Sequence, residues 1–351
     1  MDRPGALELQ FVAASDRSLK RPEGVLGGAL FGGQAGEPRP VGSEPRFPVA
    51  RVALPVLGGE RGALEIWRVG TEVRAGTHGR VRYTFSQEIL FGSLAIHEDE
   101  PTLAAAVSGE RTRLYAATYE AYRGIFATLA EAGFPHLVRV WNYLPDITVE
   151  MQGQERYRQF NSARQEALKA CGRAVAGNVP AASALGAASG SALVIYFLAS
   201  RVAPTLIENP RQVSAYHYPE QYGPASPSFS RAAVLAGQHG ATLFISGTAS
   251  IVGHRTLHAG DPVAQTREAL RNIEALLGEA RTALGAQLAL AALAYKVYIR
   301  DPRDLPAIRA ALQDAIGPRA AALYLQADIC RRDLAVEIEA VGRHAGGQPG
   351  G

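Results

Sequence analysis

The sequence predicts a mixed α/β (α+β) protein of two tandem units, each a β-sheet with helices packed on one face. Three observations predict it. Runs with strand and helix periodicity follow one another in the same order on both sides of a Pro- and Tyr-rich stretch. Gly92-Ser93-Leu94-Ala95-Ile96 matches Gly247-Thr248-Ala249-Ser250-Ile251 at an offset of 155 residues. The same offset carries Asp146, which follows the next strand, onto Asp301. Two anchors in one register indicate an internal duplication.

Residues 1–45 combine one β-like run, Leu7–Ala13, with a Gly/Pro-rich tract from Pro22 to Pro45 that reads as loop. Strand-like runs follow at Phe47–Leu57, Ala63–Val69, Glu72–Arg74, Gly79–Phe85 and through Ser86–His97. A helix is expected over Thr102–Ala132, with Leu114, Thr118, Ala121, Ile125 and Leu129 on one face and Gly133 as its stop. Leu137–Tyr143 reads as strand, Gln154–Ala170 as helix, and Ala192–Ala199 as a buried strand. The small-residue tract Ala181–Ser191 lacks a phosphate-loop lysine and reads as packing or a turn.

The connecting stretch Glu208–Arg231 holds four prolines and Tyr216, Tyr218 and Tyr222. Prolines at this density forbid a continuous helix or a central strand, and the aromatics argue against disorder. The segment is therefore an ordered loop, either packed on its own rings or lining a site for a small polar or anionic ligand. Beyond it the order returns. Thr242–Ile251 is strand, Pro262–Glu279 helix, Leu290–Ile299 ends in strand, Leu305–Ile316 is helix, and Ala320–Gln326 and Leu334–Ala340 are strands.

Composition is that of an ordinary globular chain, 47% apolar and 20% charged. A net charge of +3 gives no support for a nucleic-acid partner. Of the 36 basic residues only Lys20, Lys169 and Lys296 are lysines, so an anion site here uses Arg. Cys171 and Cys330 make neither a disulfide framework nor a metal site. His254 and His258 lack a third ligand, so no metal and no cofactor is expected. No apolar leader and no membrane span is visible, and the expectation is a cytoplasmic protein.

In Leu334–Ala340 the period of two puts Leu334, Val336 and Ile338 on one face and Ala335, Glu337 and Glu339 on the other. Two readings of the Glu face stand open: outward to solvent, or into a cleft whose partial burial would keep a carboxyl protonated. Cys330 precedes that strand and reads by itself as a small buried hydrophobe. Tyr157 and Arg164, two helical turns apart, share a helix face, either solvated or placed to grip a carboxylate.

Several motifs carry a resemblance. R-V-W-N-Y-L-P-D (Arg139–Asp146), E-R-Y-R-Q-F-N-S-A-R (Glu155–Arg164), the Glu208–Pro224 run, S-P-S-F-S-R-A (Ser226–Ala232) and I-S-G-T-A-S-I-V-G-H (Ile245–His254) resemble the chorismatases. These enzymes cleave the enolpyruvyl ether of chorismate and release pyruvate. The half from Ile245 to Ala340 also resembles the YjgF/Rid fold, which implies two tandem YjgF/chorismate-mutase-like units. The implied division is an N-terminal extension (1–45), a first unit (46–206), a connecting loop (207–240) and a second unit (241–345). The resemblance makes Glu337 the catalytic proton donor and places Tyr157, Arg164, Tyr216 and Arg231 around the substrate. Cys330 and Gly247 fall at positions that differ among subtypes and resemble the subtype making 3-hydroxybenzoate. The alternatives within the family are a hydrolase giving 3,4-dihydroxycyclohexa-1,5-diene carboxylate and a mixed 3-/4-hydroxybenzoate producer. From another class comes a non-catalytic YjgF-type metabolite-binding module. The implied partner is chorismate, and a monomer or a homotrimer is expected. Imine deaminases of the YjgF group carry an Arg on the strand before the final Glu strand; here that segment, Ala320–Leu325, has none.

Overall fold

The computed structural model describes residues 6–14, 23–32, 46–59, 61–104, 111–238 and 240–345. Parts of the expected N-terminal extension and residues 105–110 of the expected helix Thr102–Ala132 lie outside them. Strands β1 (Glu8–Ala13), β2 (Val25–Gly32), β3 (Val49–Val52) and β4 (Gly62–Arg68) form a four-stranded sheet in the order β1-β4-β2-β3. The first unit runs β5 (Arg74–His78), β6 (Val81–Phe85), β7 (Ile89–Ile96), α1 (Pro101–Ala104), α2 (Arg113–Ala132) and β8 (His136–Pro145). A short ribbon, β9 (Glu150–Met151) with β10 (Gln154–Glu155), then leads to α3 (Arg156–Ala170), β11 (Ala181–Ala187) and β12 (Leu193–Ser200). The second unit runs β13 (Thr205–Ile207), β14 (Ala232–Gly237), β15 (Gly240–Ala249), the ribbon β16 (Ile251–Val252) and β17 (Arg255–Thr256), α4 (Pro262–Leu284) and β18 (Ala294–Ile299). It closes with α5 (Leu305–Ile316), β19 (Ala322–Gln326), β20 (Asp328–Ile329) and β21 (Val336–His344).

The two large sheets have one topology. The first is ordered β20-β11-β8-β12-β7-β6-β5 and the second β13-β14-β15-β21-β18-β19. In each, the last long strand returns antiparallel between its neighbours, and the one parallel pair (β8 with β11, β18 with β19) is joined through a helix. The offset of 155 also relates Tyr143 to Tyr298, and their buried hydroxyls meet at 2.8 Å. Helices cover one face of each sheet: α2 and α3 bury Leu114, Ile125, Leu129 and Phe160, and α4 and α5 bury Ile273, Leu276, Ile308 and Leu312. Asp261 caps α4 by accepting from the Ala264 N–H, and Gly285, in the left-handed region, ends it.

The uncovered faces of both sheets turn inward, and the four-stranded sheet closes the third side. Trp67 on β4 packs against Trp141 of the first unit at 5.7 Å and Phe244 of the second at 5.9 Å.

Three expectations change. The Gly/Pro-rich tract contains β2, where Gly27 and Gly28 serve close approach: a Cβ on Gly27 would meet the Phe91 ring at 2.2 Å and one on Gly28 the Glu65 carbonyl at 2.3 Å. The tract Ala181–Ser191 contains β11, where the second unit comes against the first; the Ala182 N–H donates to Ser246 Oγ at 2.9 Å. Small side chains there permit the contact. The connecting loop also gives up Ala232–Gly237 to β14.

Candidate active site

Alternation along β21 is as expected, and its consequence is settled by what lies opposite. Val336 and Ile338 join the core beneath α4, while Glu337 and Glu339 face the first unit and are 5% and 3% exposed. The solvent-facing reading is thereby excluded. Glu339 accepts from Arg139 Nη2 (2.8 Å), Ser183 Oγ (2.7 Å) and Trp141 Nε1 (2.7 Å), and pairs with Lys296 Nζ (2.7 Å). Burial opposes its ionisation, but Lys296, Arg139 and these bonds hold it below the usual carboxylate range. Among the described residues Glu337 has no ion pair, and burial, reinforced by the neighbouring Glu339 charge, pushes it up to about 8 against the pull of Arg139 and Arg231.

Glu337 forms one wall of a cavity of about 390 Å³ between the two units, a size suited to a small metabolite. The first unit contributes Tyr157 and Arg164 from α3 and Ser183 from β11; the second contributes Gly247, Cys330 and Glu337. Arg231, at the end of the connecting loop, completes the polar lining. Tyr216 is not among the lining residues and packs edge-on to His217. Tyr218 and Tyr222 from the same loop line the cavity instead. Tyr222 donates to the His254 carbonyl at 2.7 Å, and Arg331 lies 4.2 Å from its ring.

Among the described residues neither cavity arginine makes a close ion pair, although the buried Glu208 carboxyl lies within the field of Arg231. Arg139, Arg156 and Arg211 pair with glutamates, whereas among the described residues Arg164 and Arg231 do not. Both are buried, and the Nε of each lacks a hydrogen-bond partner. Arg164 donates to Asn161 Oδ1 (3.1 Å) over the Phe160 ring; Arg231 donates to the Val213 carbonyl (2.7 Å) and Tyr218 hydroxyl (2.9 Å). Buried cations left in this state call for an anionic ligand.

Gly247 is explained by its neighbour. A Cβ there would lie 1.9 Å from Glu337 Oε1, so this carboxyl position requires the absence of a side chain. Burial pushes the Cys330 thiol up to about 12, with Glu337 adding to the effect, so it stays protonated. Burial likewise raises Tyr157 above its ordinary range.

The first family model, "Chorismatase FkbO/Hyg5-like, N-terminal", matches residues 65–199, and "Endoribonuclease L-PSP" matches 223–343. A 3-hydroxybenzoate synthase of Streptomyces hygroscopicus is 38% identical over 287 residues, covering 79% of this chain and 80% of that protein. The chain belongs to the chorismatase family. A chorismatase of Streptomyces rapamycinicus is 37% identical over 285 residues, 79% of this chain and 81% of its own. A chorismatase crystal structure superposes with a TM-score of 0.83 at 32% identity, covering 97% of this chain and all of that one. The protein is thus an enzyme of the chorismatase type acting on a small molecule.

The sequence reading singled out neither Ser183, which lines the cavity, nor the roles of Arg139 and Lys296, which lie behind it on Glu339. Ser183 sits in the tract read as packing, and Arg139 and Lys296 in strands. A lysine inside the apolar run A-Y-K-V-Y-I was a readable signal, since Lys is almost never fully buried without a partner. Among the described residues no group of three or more His, Cys, Asp or Glu is placed to hold a metal, and no helix is long and apolar enough to cross a membrane.

Proposed function

We propose that this chorismatase cleaves the enolpyruvyl ether of chorismate to pyruvate and 3-hydroxybenzoate, with Glu337 as the proton donor. The observation that carries the reading is a buried carboxyl, raised to about 8, set in a cavity that also holds two buried arginines whose Nε atoms have no hydrogen-bond partner among the described residues. Protonating the methylene carbon of the enol ether creates an oxocarbenium ion; one water adds to its cationic carbon, and the hemiketal collapses to pyruvate and leaves the ether oxygen on the ring as a hydroxyl. A carboxylic acid that still carries its proton at neutral pH is suited to that step. The two carboxylates of chorismate match Arg164 and Arg231, with Tyr157, Tyr218 and Tyr222 hydroxyls available to the ring.

Product identity follows from Cys330 and Gly247. A thiol that stays protonated can give its proton to the departing ring hydroxyl, which leaves as water while the ring loses a proton and becomes aromatic. Together with the cleavage this takes up no net water. Cys330→Ala is expected to keep pyruvate release and to move the ring product towards the dihydroxydiene by roughly tenfold or more. Ring products separated by mass and retention check it; an unchanged ratio removes Cys330 from the aromatisation.

The primary test incubates the purified protein with chorismate, assays pyruvate and identifies the ring product. Pyruvate with 3-hydroxybenzoate is expected. Pyruvate with the diene keeps the proton donor and overturns the product; no pyruvate from folded protein overturns the reading.

A further inference from the structure

The reading above leaves a buried charge cluster unused. Lys296 on β18 pairs with Glu339 at 2.7 Å and with Glu65 of the four-stranded sheet at 2.6 Å, and donates to the Tyr196 hydroxyl at 2.8 Å. Glu65 also accepts from Trp67 Nε1 at 2.6 Å and from the Tyr196 hydroxyl at 3.2 Å. Arg139 on β8 pairs with Glu339 from the other side. Two acids and two bases thus meet, each 3% exposed or less, from β4, β8, β18 and β21. A buried ion cluster is weak as a source of stability, so its place in the fold asks for another explanation.

That place is beside the proton donor. Glu339 and Glu337 are two residues apart on one face of β21, roughly 7 Å along the strand. Ser183 joins the cluster to the cavity: its Oγ donates to Glu339, and accepts from Arg139 Nη2 (2.5 Å) and from the Gly247 N–H (3.0 Å). The charged or titratable groups around Glu337 are Glu339 on its own strand, Arg139 from β8, Tyr157 and Arg164 from α3, Tyr298 opposite it on β18, Cys330 before β21, and Arg231 from the loop. Glu155, Arg158, Arg331 and Arg332 line the same cavity, and of the two carboxylates Glu339 is the one that raises Glu337.

We infer that Glu339 is a positioning residue for the proton donor: a fixed buried negative charge, held by Lys296, Arg139 and Ser183, that keeps Glu337 protonated. Glu65 balances Lys296 and so brings the four-stranded sheet into the catalytic apparatus, although most of that sheet precedes the residues matched by the family models. The inference rests on Glu337 being the donor. Burial of Glu337 and the Glu339 charge act in the same direction, which is the order of causes behind its raised value.

The test is the pH profile of pyruvate release by the full-length protein. In the wild type the rate falls above about pH 8 as Glu337 loses its proton. Glu339→Gln should move this alkaline limb down by about one to two pH units, as expected for a like charge removed at this distance. Glu65→Gln should move it the same way by less, because the unbalanced Lys296 is farther off. Glu339→Asp keeps the charge and should leave the limb in place even if the rate drops. Should Glu339→Gln fail to fold, the charge-balanced Glu339→Gln/Lys296→Met variant replaces it, with its limb expected below that of the wild type. A limb that stays put in Glu339→Gln, or in the double variant, overturns the inference. Carbon-13 NMR titration of the Glu337 carboxyl follows the same shift without turnover. A wild type that releases no pyruvate while this titration still shifts would sink the proposed reaction and leave the charge coupling standing.

Discussion

Replacing Glu337 with Gln is expected to lower pyruvate release by about 10²–10⁴-fold, the range that positioned general acids contribute, and to leave the fold intact. The amide has the carboxylic acid's shape and fits the space left by Gly247, but it has no acidic proton for the methylene carbon. Stability supplies an independent check, with a defined sign. The native state holds the Glu337 proton up to about pH 8, whereas the unfolded chain gives it up at the ordinary glutamate value. The stabilisation from the buried neutral acid is therefore complete below the unfolded value and is lost as pH rises through about 8. Wild-type stability should decline across that window, and the Gln variant should lack this contribution. Turnover together with urea unfolding at a series of pH values measures both. Full activity in the variant would remove Glu337 as the donor, and an unchanged pH slope would mean that its carboxyl is ionised in the native state.

The duplication and the elements around it were legible because they are local or repeated. G-S-L-A-I and G-T-A-S-I fix the register that brings Tyr143 onto Tyr298, and α2 announces itself by apolar spacing and its glycine stop, whereas α4 runs five residues past the expected Glu279 to Leu284. What could not be read is what lies opposite a strand. The pattern of β21 separates Glu337 and Glu339 from Val336 and Ile338, but the cover on the glutamate face comes from Arg139 and Trp141, 200 and 198 residues away from Glu339. Glycine and alanine misled for a related reason. In β2 and β11 they admit a neighbouring chain, while in sequence the same residues signal a turn. In the loop the tyrosines sit on or just after short 3₁₀ turns, where no period decides which ring faces the cavity; Tyr218 and Tyr222 line it, and Tyr216 packs on His217.

Arg164→Met is expected to separate activity from stability in opposite directions. The substitution keeps an unbranched apolar stem over Phe160 and removes the guanidinium. In the free enzyme that guanidinium is buried, has no carboxylate partner among the described residues, and leaves Nε unbonded. Such a charge costs folding free energy, so the variant should unfold at the same temperature as the wild type or higher. In the substrate complex the same group would meet a carboxylate in a desolvated pocket. Breaking a buried charge pair of that kind costs about 2–5 kcal/mol, which at 1.4 kcal/mol per decade lowers kcat/KM by roughly 30- to 4,000-fold. Arg164→Lys should recover little of this, because a point charge cannot reproduce the planar fork. Steady-state kinetics on chorismate with a thermal melt of each variant decides the matter. A Met variant that melts well below the wild type would make Arg164 part of the packing of α3, and one that keeps its kcat/KM would take it out of the substrate grip. The contrast arises because an anion-binding site built from buried arginines is unsatisfied until its ligand arrives, so the groups that bind most strongly are those the empty fold would be more stable without.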